Sequence, residues 1–171
     1  MGNDQNSRGK QCVDEFEIYT DGSFKKGYGS WAYVVTQKGE ALREASGRAK
    51  KTDSNRMEFQ AVIESLKTLT TGTTVTIFTD SRVLIENVPL FSEWKSQNWV
   101  KKNNRPIPNV DLLKNLHELI QQHHVTWQWV KAHSGQKHNE RCDELCILAR
   151  GPLPTRGQQP TLGPQKSEVT S

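Results

Sequence analysis

The sequence predicts an α/β fold, a mixed sheet with helices on its faces. Three observations lead there. Short β-like runs alternate with amphipathic helical runs along most of the chain. A hairpin precedes the first helix, and that helix then crosses over, so the first and fourth strands can run parallel. The length, 171 residues, suits one domain.

The elements follow in order. FEIYT, over 16–20, reads as a strand ending in Asp-Gly. Strands over 31–37 and 41–49 meet at Lys38-Gly39, a hairpin turn. A helix over 55–69 carries Met57, Ala61, Val62, Leu66 and Leu69 on one stripe. TVTIFT, over 74–79, is a strand, and 81–87 is a short helix. A stretch rich in Trp and Lys fills 90–105. Asn109 is placed to cap a helix bearing Leu112, Leu113, Leu116, Leu119 and Ile120. A strand over 125–130, a polar loop and a helix over 139–150 complete the folded part, 15–150. Residues 1–14 are polar and aperiodic, and read as a flexible tail. Residues 151–171 hold four of the seven prolines with Gly, Gln, Ser and Thr, and read as a disordered tail with too little to bury.

Lys and Arg number 23 against 19 Asp and Glu, a net charge of +4, which permits a polyanionic partner. Cys12, Cys142 and Cys146 lack metal-site spacing and imply no disulfide framework. No apolar run is long enough for a membrane span. MGNDQNSRGK has no apolar core of a signal peptide, and Asn6 stands where a myristoylation motif wants Ser or Thr. A soluble, cytoplasmic monomer is the expectation.

Four acidic residues sit at strand ends and on helices, where α/β sheets build sites. Asp21 follows the first strand, and is read either as a turn residue or as a site ligand. Asp80 ends TVTIFT, and a helix N-cap is its ordinary role. Glu58 lies three residues after Asn55, the spacing of a capping box. Asp143 lies on the last helix, where a solvated face or an Arg partner would explain it. Converged on one end of the sheet, the four would repel one another unless cations neutralised them. All-oxygen donors suit Mg²⁺ or Mn²⁺ over Zn²⁺. A pair of such ions is the standard device for in-line displacement at phosphorus.

TDGS (20–23), SNRMEF (54–59), FTDS (78–81), WVKAHSG (129–135) and HNERCDEL (138–145) occur in that order. This ordered set resembles ribonuclease H type 1 over about 15–150. The resemblance implies a ribonuclease H-like, five-stranded mixed sheet with its first three strands antiparallel. It implies an endonuclease that cuts the RNA strand of an RNA–DNA hybrid with two Mg²⁺ ions, leaving 5′-phosphate and 3′-hydroxyl ends. The metal-binding carboxylates match Asp21, Glu58, Asp80 and Asp143, with Glu58 also touching a 2′-OH, the group that separates RNA from DNA. His133 matches the mobile histidine that moves a proton and helps product leave, work suited to an imidazole. His138 is a rival for that part. His117, His123 and His124 read as surface residues.

FSEWKSQNWVKKNNRPIPN, over 91–109, resembles the family's basic protrusion, which grips the DNA strand. Trp94 and Trp99 would pack on sugars or stiffen the segment, and Lys95, Lys101, Lys102 and Arg105 would contact phosphates. Asn55 and Asn109 match positions that contact the hybrid backbone. Trp127 and Trp129 alternate in a strand and read as core or sheet-face packing. Three departures stand out. FKKGYG is shorter than the usual loop after TDGS and carries Lys25 and Lys26, so a lost 2′-OH contact would be offset by charge. Asp53 replaces a Thr that holds a phosphate, so that Asp53 caps the helix or Thr52 takes over. Arg82 replaces a Gln and is long enough to reach an RNA phosphate. Two rivals remain: another nuclease or transferase on the same scaffold, and a non-catalytic hybrid-binding module.

Overall fold

The computed structural model describes residues 14–153. The expected tails therefore fall almost wholly outside the described residues, and Cys12 with them. The sheet has the order β3-β2-β1-β4-β5, built from β1 (Glu15–Lys25), β2 (Tyr28–Gln37), β3 (Glu40–Lys50), β4 (Thr74–Thr79) and β5 (His124–Trp129). The first three strands are antiparallel neighbours. β1 runs parallel to β4, and β4 to β5.

β1 runs well past the expected strand over 16–20. Asp21-Gly22 is not a turn, because Asp21 pairs with Ala32 and the ladder continues to Lys25 opposite Tyr28. The turn falls at Lys26-Gly27, with φ of 49° and 83°. Lys38-Gly39 turns the next hairpin with φ of 51° and 79°. Positive φ at both central residues matches the twist of flanking strands. β2 accordingly starts at Tyr28, three residues before the expected position.

Helices cover both faces. α1 (Ser54–Leu66) packs on β1 and β2, with α4 (Val110–Gln121) in contact with it and with β5. Ile18, Tyr33, Val35, Phe59, Ile63, Leu66, Leu113 and Leu116 fill that layer. α5 (Lys137–Arg150) covers the opposite face, where Tyr19, Ala32, Val34, Cys142, Leu145 and Cys146 meet. The alternation of Ile18 and Tyr19 between the two cores is the period-2 pattern of a strand buried on both sides. Between β4 and α4 lie α2 (Arg82–Asn87), a 3₁₀ turn (Val88–Leu90) and α3 (Phe91–Ser96). No helix among the described residues is long and apolar enough to cross a membrane.

The helix starts settle several alternatives. Asp53 caps α1, its side chain accepting from the Arg56 N–H at 2.9 Å. Glu58 is therefore not the partner in a capping box with Asn55. Asp53→Ala should lower stability by about 1 kcal/mol, read as a drop in the midpoint of chemical unfolding. Ser81, not Asp80, caps α2, accepting from Leu84 N–H at 3.3 Å. Asn109 occupies the cap position of α4 but makes no side-chain cap bond. Its Oδ1 accepts from Arg56 Nη1 at 3.1 Å, and Arg56 also pairs with Asp111 at 2.8 Å. α1 ends at Leu66, three residues early, where Thr68 and Leu69 N–H groups bond back three residues to Ser65 and Leu66.

Candidate active site

The ladder between β1 and β4 stops at Tyr19 opposite Phe78. Beyond it β1 continues with β2 alone, while β4 ends at Thr79. Asp21 and Asp80 stand where these parallel strands part, just past the C-terminal end of their shared ladder, the usual place for a site in an α/β sheet. α1 brings Glu58 to the same gap. A Cβ added at Gly22 would lie 2.3 Å from the Glu58 N and 2.5 Å from the Met57 C. Only glycine lets the helix backbone come this close to β1. Gly22→Ala should therefore push α1 away, costing about 3 kcal/mol by overpacking. Thermal unfolding reads the stability loss, and the cleavage rate reads the displaced Glu58.

α5 is seated on β1 by two thiols. Cys142 Sγ donates to Tyr19 O at 3.3 Å and Cys146 Sγ to Asp21 O at 3.5 Å. Burial pushes both thiols well above their ordinary range, which keeps them inert. The seating brings Asp143 to the gap from the far face. Its Arg-paired reading fails, because the neighbouring Arg141 bonds Glu44 and Glu144.

The result is a cleft of about 230 Å³ lined by Asp21, Gly22, Ser23, Glu58, Asp80, His133, Asn139, Glu140 and Asp143. Ligand-type oxygens of Asp21, Glu58 and Asp80 lie within 4.8 Å of one another. His133, Glu140 and Asp143 form a second such group with the same spacing. Thus all four expected carboxylates and the expected histidine meet in one place. Asn139 and Glu140 were missed. Their separation from Asp143, four and three residues, puts them on its helix face, a signal the acidic motif around Asp143 obscured.

The electrostatics are adverse as the protein stands. Burial, then the charges of Asp80 and Asp143, push the Asp21 carboxyl up to about 6. Burial, then Asp21 and Asp80, push Glu58 well above the ordinary range. Asp80 is raised too, chiefly by burial, against the pull of its own backbone N–H and of His133. No Lys or Arg among the described residues forms an ion pair with any of these acids. Glu58 Oε2 and Asn139 Oδ1 are buried with no hydrogen-bond partner. Clustered carboxylates with an orphaned buried oxygen are a donor set that fits a hard divalent cation.

The remaining expected residues divide into groups. Asn55, Trp94, Lys101 and Asn109 share a groove of about 370 Å³ between α1 and the 91–109 segment. Lys95, Trp99, Lys102 and Arg105 do not line it. Lys95 pairs with Glu118 at 3.4 Å and Lys102 with Glu93 at 3.6 Å. Trp94 and Trp99 lie 6.1 and 6.0 Å from the Phe91 ring, packed within the segment. His117 is buried, contradicting the surface reading, because Phe91 and Trp99 close over it edge-on at 5.9 and 5.8 Å. His123 is buried as well, at the end of the turn that leads from α4 into β5. His138 turns away from the cleft, its Nε2 3.2 Å from Gly39 O. Trp127 packs on the core as expected, but Trp129 is 41% exposed. The Arg82 guanidinium lies 4.9 Å over the Trp129 ring.

Comparison with known proteins agrees with this architecture. The RNase H family profile matches residues 14–150. A Ribonuclease H of Campylobacter jejuni is 41% identical over 135 residues, 78% of this chain and 89% of that protein. One from Rickettsia bellii is 37% identical over 144 residues, 82% of this chain and 92% of that protein. The crystal structure of LC9-RNase H1, a type 1 RNase H with the type 2 active-site motif, superposes with a TM-score of 0.70 at 25% identity, over 81% of this chain and 72% of that one. A profile spanning the whole sheet, near relatives matched almost end to end and a shared fold make this chain a member of the RNase H family.

Proposed function

We propose that the protein is an endonuclease that hydrolyses the RNA strand of RNA–DNA hybrids, using two Mg²⁺ ions, or Mn²⁺ in their place, and leaving 5′-phosphate and 3′-hydroxyl ends. The observation that carries this is the convergence of Asp21, Glu58, Asp80 and Asp143 on one cleft with Glu58 Oε2 unpartnered. Catalysis belongs to residues 15–150.

Asp21, Glu58 and Asp80 would hold one ion, and Asp143, with Glu140 beside it, the other. When bound, the ions supply Lewis acidity at the attacked phosphate. The protein's own groups do the rest. Gly22 and the Asp53 cap hold α1 so that Glu58 reaches both the cation site and a 2′-OH of the RNA strand. His133 sits on an exposed loop with φ of 51°. From there it takes or gives a proton at the cleft mouth. Asn55 and Asn109 contact the hybrid backbone from the neighbouring groove. Trp94 and Trp99 keep the 91–109 segment rigid, while Lys95, Lys101, Lys102 and Arg105 face the DNA phosphates. Trp129 braces Arg82 toward the RNA strand.

Labelled RNA–DNA, RNA–RNA and DNA–DNA duplexes, incubated with and without Mg²⁺, test the reading. Internal cutting of the RNA in the hybrid alone, and only with the ion, is expected. Metal-independent binding without cutting would favour a binding module, and end-wise digestion an exonuclease.

A further inference from the structure

The far end of the sheet carries charge that the cleft and the 91–109 segment leave unused. Ser23 pairs with Ser30 and Ser30 with Arg48, while Lys25 pairs with Tyr28 and Tyr28 with Lys50. Directly opposed residues project to the same face, and so do alternate residues along a strand. Tyr19, Ala32 and Val34 define that face as the one α5 covers. Asp21, Ser23 and Lys25 follow Tyr19 along it at steps of two. α5 ends at Arg150, whose Nη1 donates to Ser23 Oγ at 2.6 Å. Past that point no helix among the described residues covers the sheet.

Lys25, Arg48 and Lys50 are exposed there around Tyr28. Arg48 Cζ lies 4.2 Å and Lys50 Nζ 5.8 Å from the Tyr28 ring centroid. Lys26 and Lys51, each with positive φ, flank the patch on the adjoining turns. None of these cations forms an ion pair among the described residues, whereas Lys95 and Lys102 of the protrusion do. Neither 22–37 nor 45–52 contains an Asp or Glu. Arg150 itself is 8% exposed, with Nε unpartnered, and marks the seam with the cleft through Ser23.

From these observations we infer that the exposed end of the β1–β2–β3 sheet is a second docking surface for a nucleic-acid duplex, gripping its sugar–phosphate backbone beyond the cut site. The inference rests on the hybrid-cleaving function proposed above. Four residue steps along extended β1 carry the chain from Asp21 to Lys25, about 13 Å on one face. A duplex seated in the cleft therefore passes over Lys25, Arg48 and Lys50 within a few nucleotides. Tyr28 stacks with the two long cations and limits their freedom, so that phosphate contact costs less ordering. The contacts read no bases, because only backbone charge is matched. They lie on the face of the sheet that α5 covers, whereas the 91–109 segment packs with the α1 layer on the other face, so the protein would hold the duplex from both.

The test compares wild type with Lys25→Gln/Arg48→Gln/Lys50→Gln and with the charge-keeping Lys25→Arg/Arg48→Lys/Lys50→Arg. KM and kcat are measured on a long hybrid across a salt series, and the melting temperature is recorded for each protein. Binding of the same hybrid is followed by fluorescence anisotropy in EDTA. The inference expects KM to rise roughly tenfold or more in the Gln variant. The slope of log KM against log salt should flatten by about 0.9 per lost contact. It also expects kcat and melting temperature to hold, the charge-keeping variant to recover wild-type binding, and the anisotropy affinities to move in parallel. Unchanged KM and salt slope in the Gln variant would overturn it. So would an equal loss in the charge-keeping variant, which would make the effect structural. Failure of wild type to cut the hybrid would strike the proposed function instead, and the anisotropy series would still decide the surface.

Discussion

Asp21→Asn is expected to lower kcat on an RNA–DNA hybrid about a thousandfold or more, with the fold intact. The substitution keeps the shape of the side chain and removes one charge. Asp21 stands where β1 and β4 part, with ligand oxygens of Glu58 and Asp80 within 4.8 Å. Lewis-acid stabilisation is worth several kcal/mol at a transferring phosphate, and each 1.4 kcal/mol is tenfold in rate. Losing a ligand that two neighbours share should forfeit most of that. Glu144→Gln is the control: Glu144 pairs with Arg141 outside the cleft, and its rate should stay within a few-fold of wild type. Single-turnover cleavage at saturating Mg²⁺ makes the comparison. An unchanged rate for Asp21→Asn would remove the acidic cleft from the chemistry.

The second large effect is on stability. In metal-free buffer the protein should lose stability as pH rises through the range 4 to 6. The Asp21 carboxyl is raised to about 6 from 3.8. A folded-state pKa above the unfolded one means that the native state binds more protons between the two values. Stability is then fully present below about 4 and declines until pH passes the folded value. The shift corresponds to about 3 kcal/mol, and Glu58, raised for the same reasons, acts in the same direction. In EDTA at pH 8, Asp21→Asn should therefore melt roughly 10 °C above wild type, and the gap should close near pH 4. Mg²⁺ should reverse the order at pH 8 by binding only the native wild-type cluster. Differential scanning calorimetry with and without the ion reads all of this. A wild-type protein no less stable at pH 8 than at pH 5 in EDTA would contradict the crowding.

Much of this site was legible from local sequence because acidic residues at strand ends and helix starts have few ways to be used. Asp80 beside Ser81 and Glu58 near Asn55 had plausible capping roles, and only coordinates assign the caps to Ser81 and Asp53. The strand order and the parallel pairing of β1 with β4 follow from the crossover through α1, a rule of chain topology. The reach of β1 through Asp21-Gly22 was not legible. Asp-Gly reads locally as a turn, and cross-strand bonds to β2 decide otherwise. His117 and His123 looked exposed because their burial depends on partners far off in sequence, such as Phe91 and Trp99 for His117. Trp129 looked like packing, yet the sheet ends there and leaves it open to Arg82.

The account depends on divalent cations making a crowded set of buried carboxylates tolerable. Crystals of the protein soaked in millimolar Mn²⁺, with data collected at a wavelength where manganese scatters anomalously, test that directly. Anomalous peaks are predicted between the oxygens of Asp21, Glu58 and Asp80, and on the side of Asp143. An anomalous map empty throughout that cleft, with carboxylates left facing one another, would contradict it.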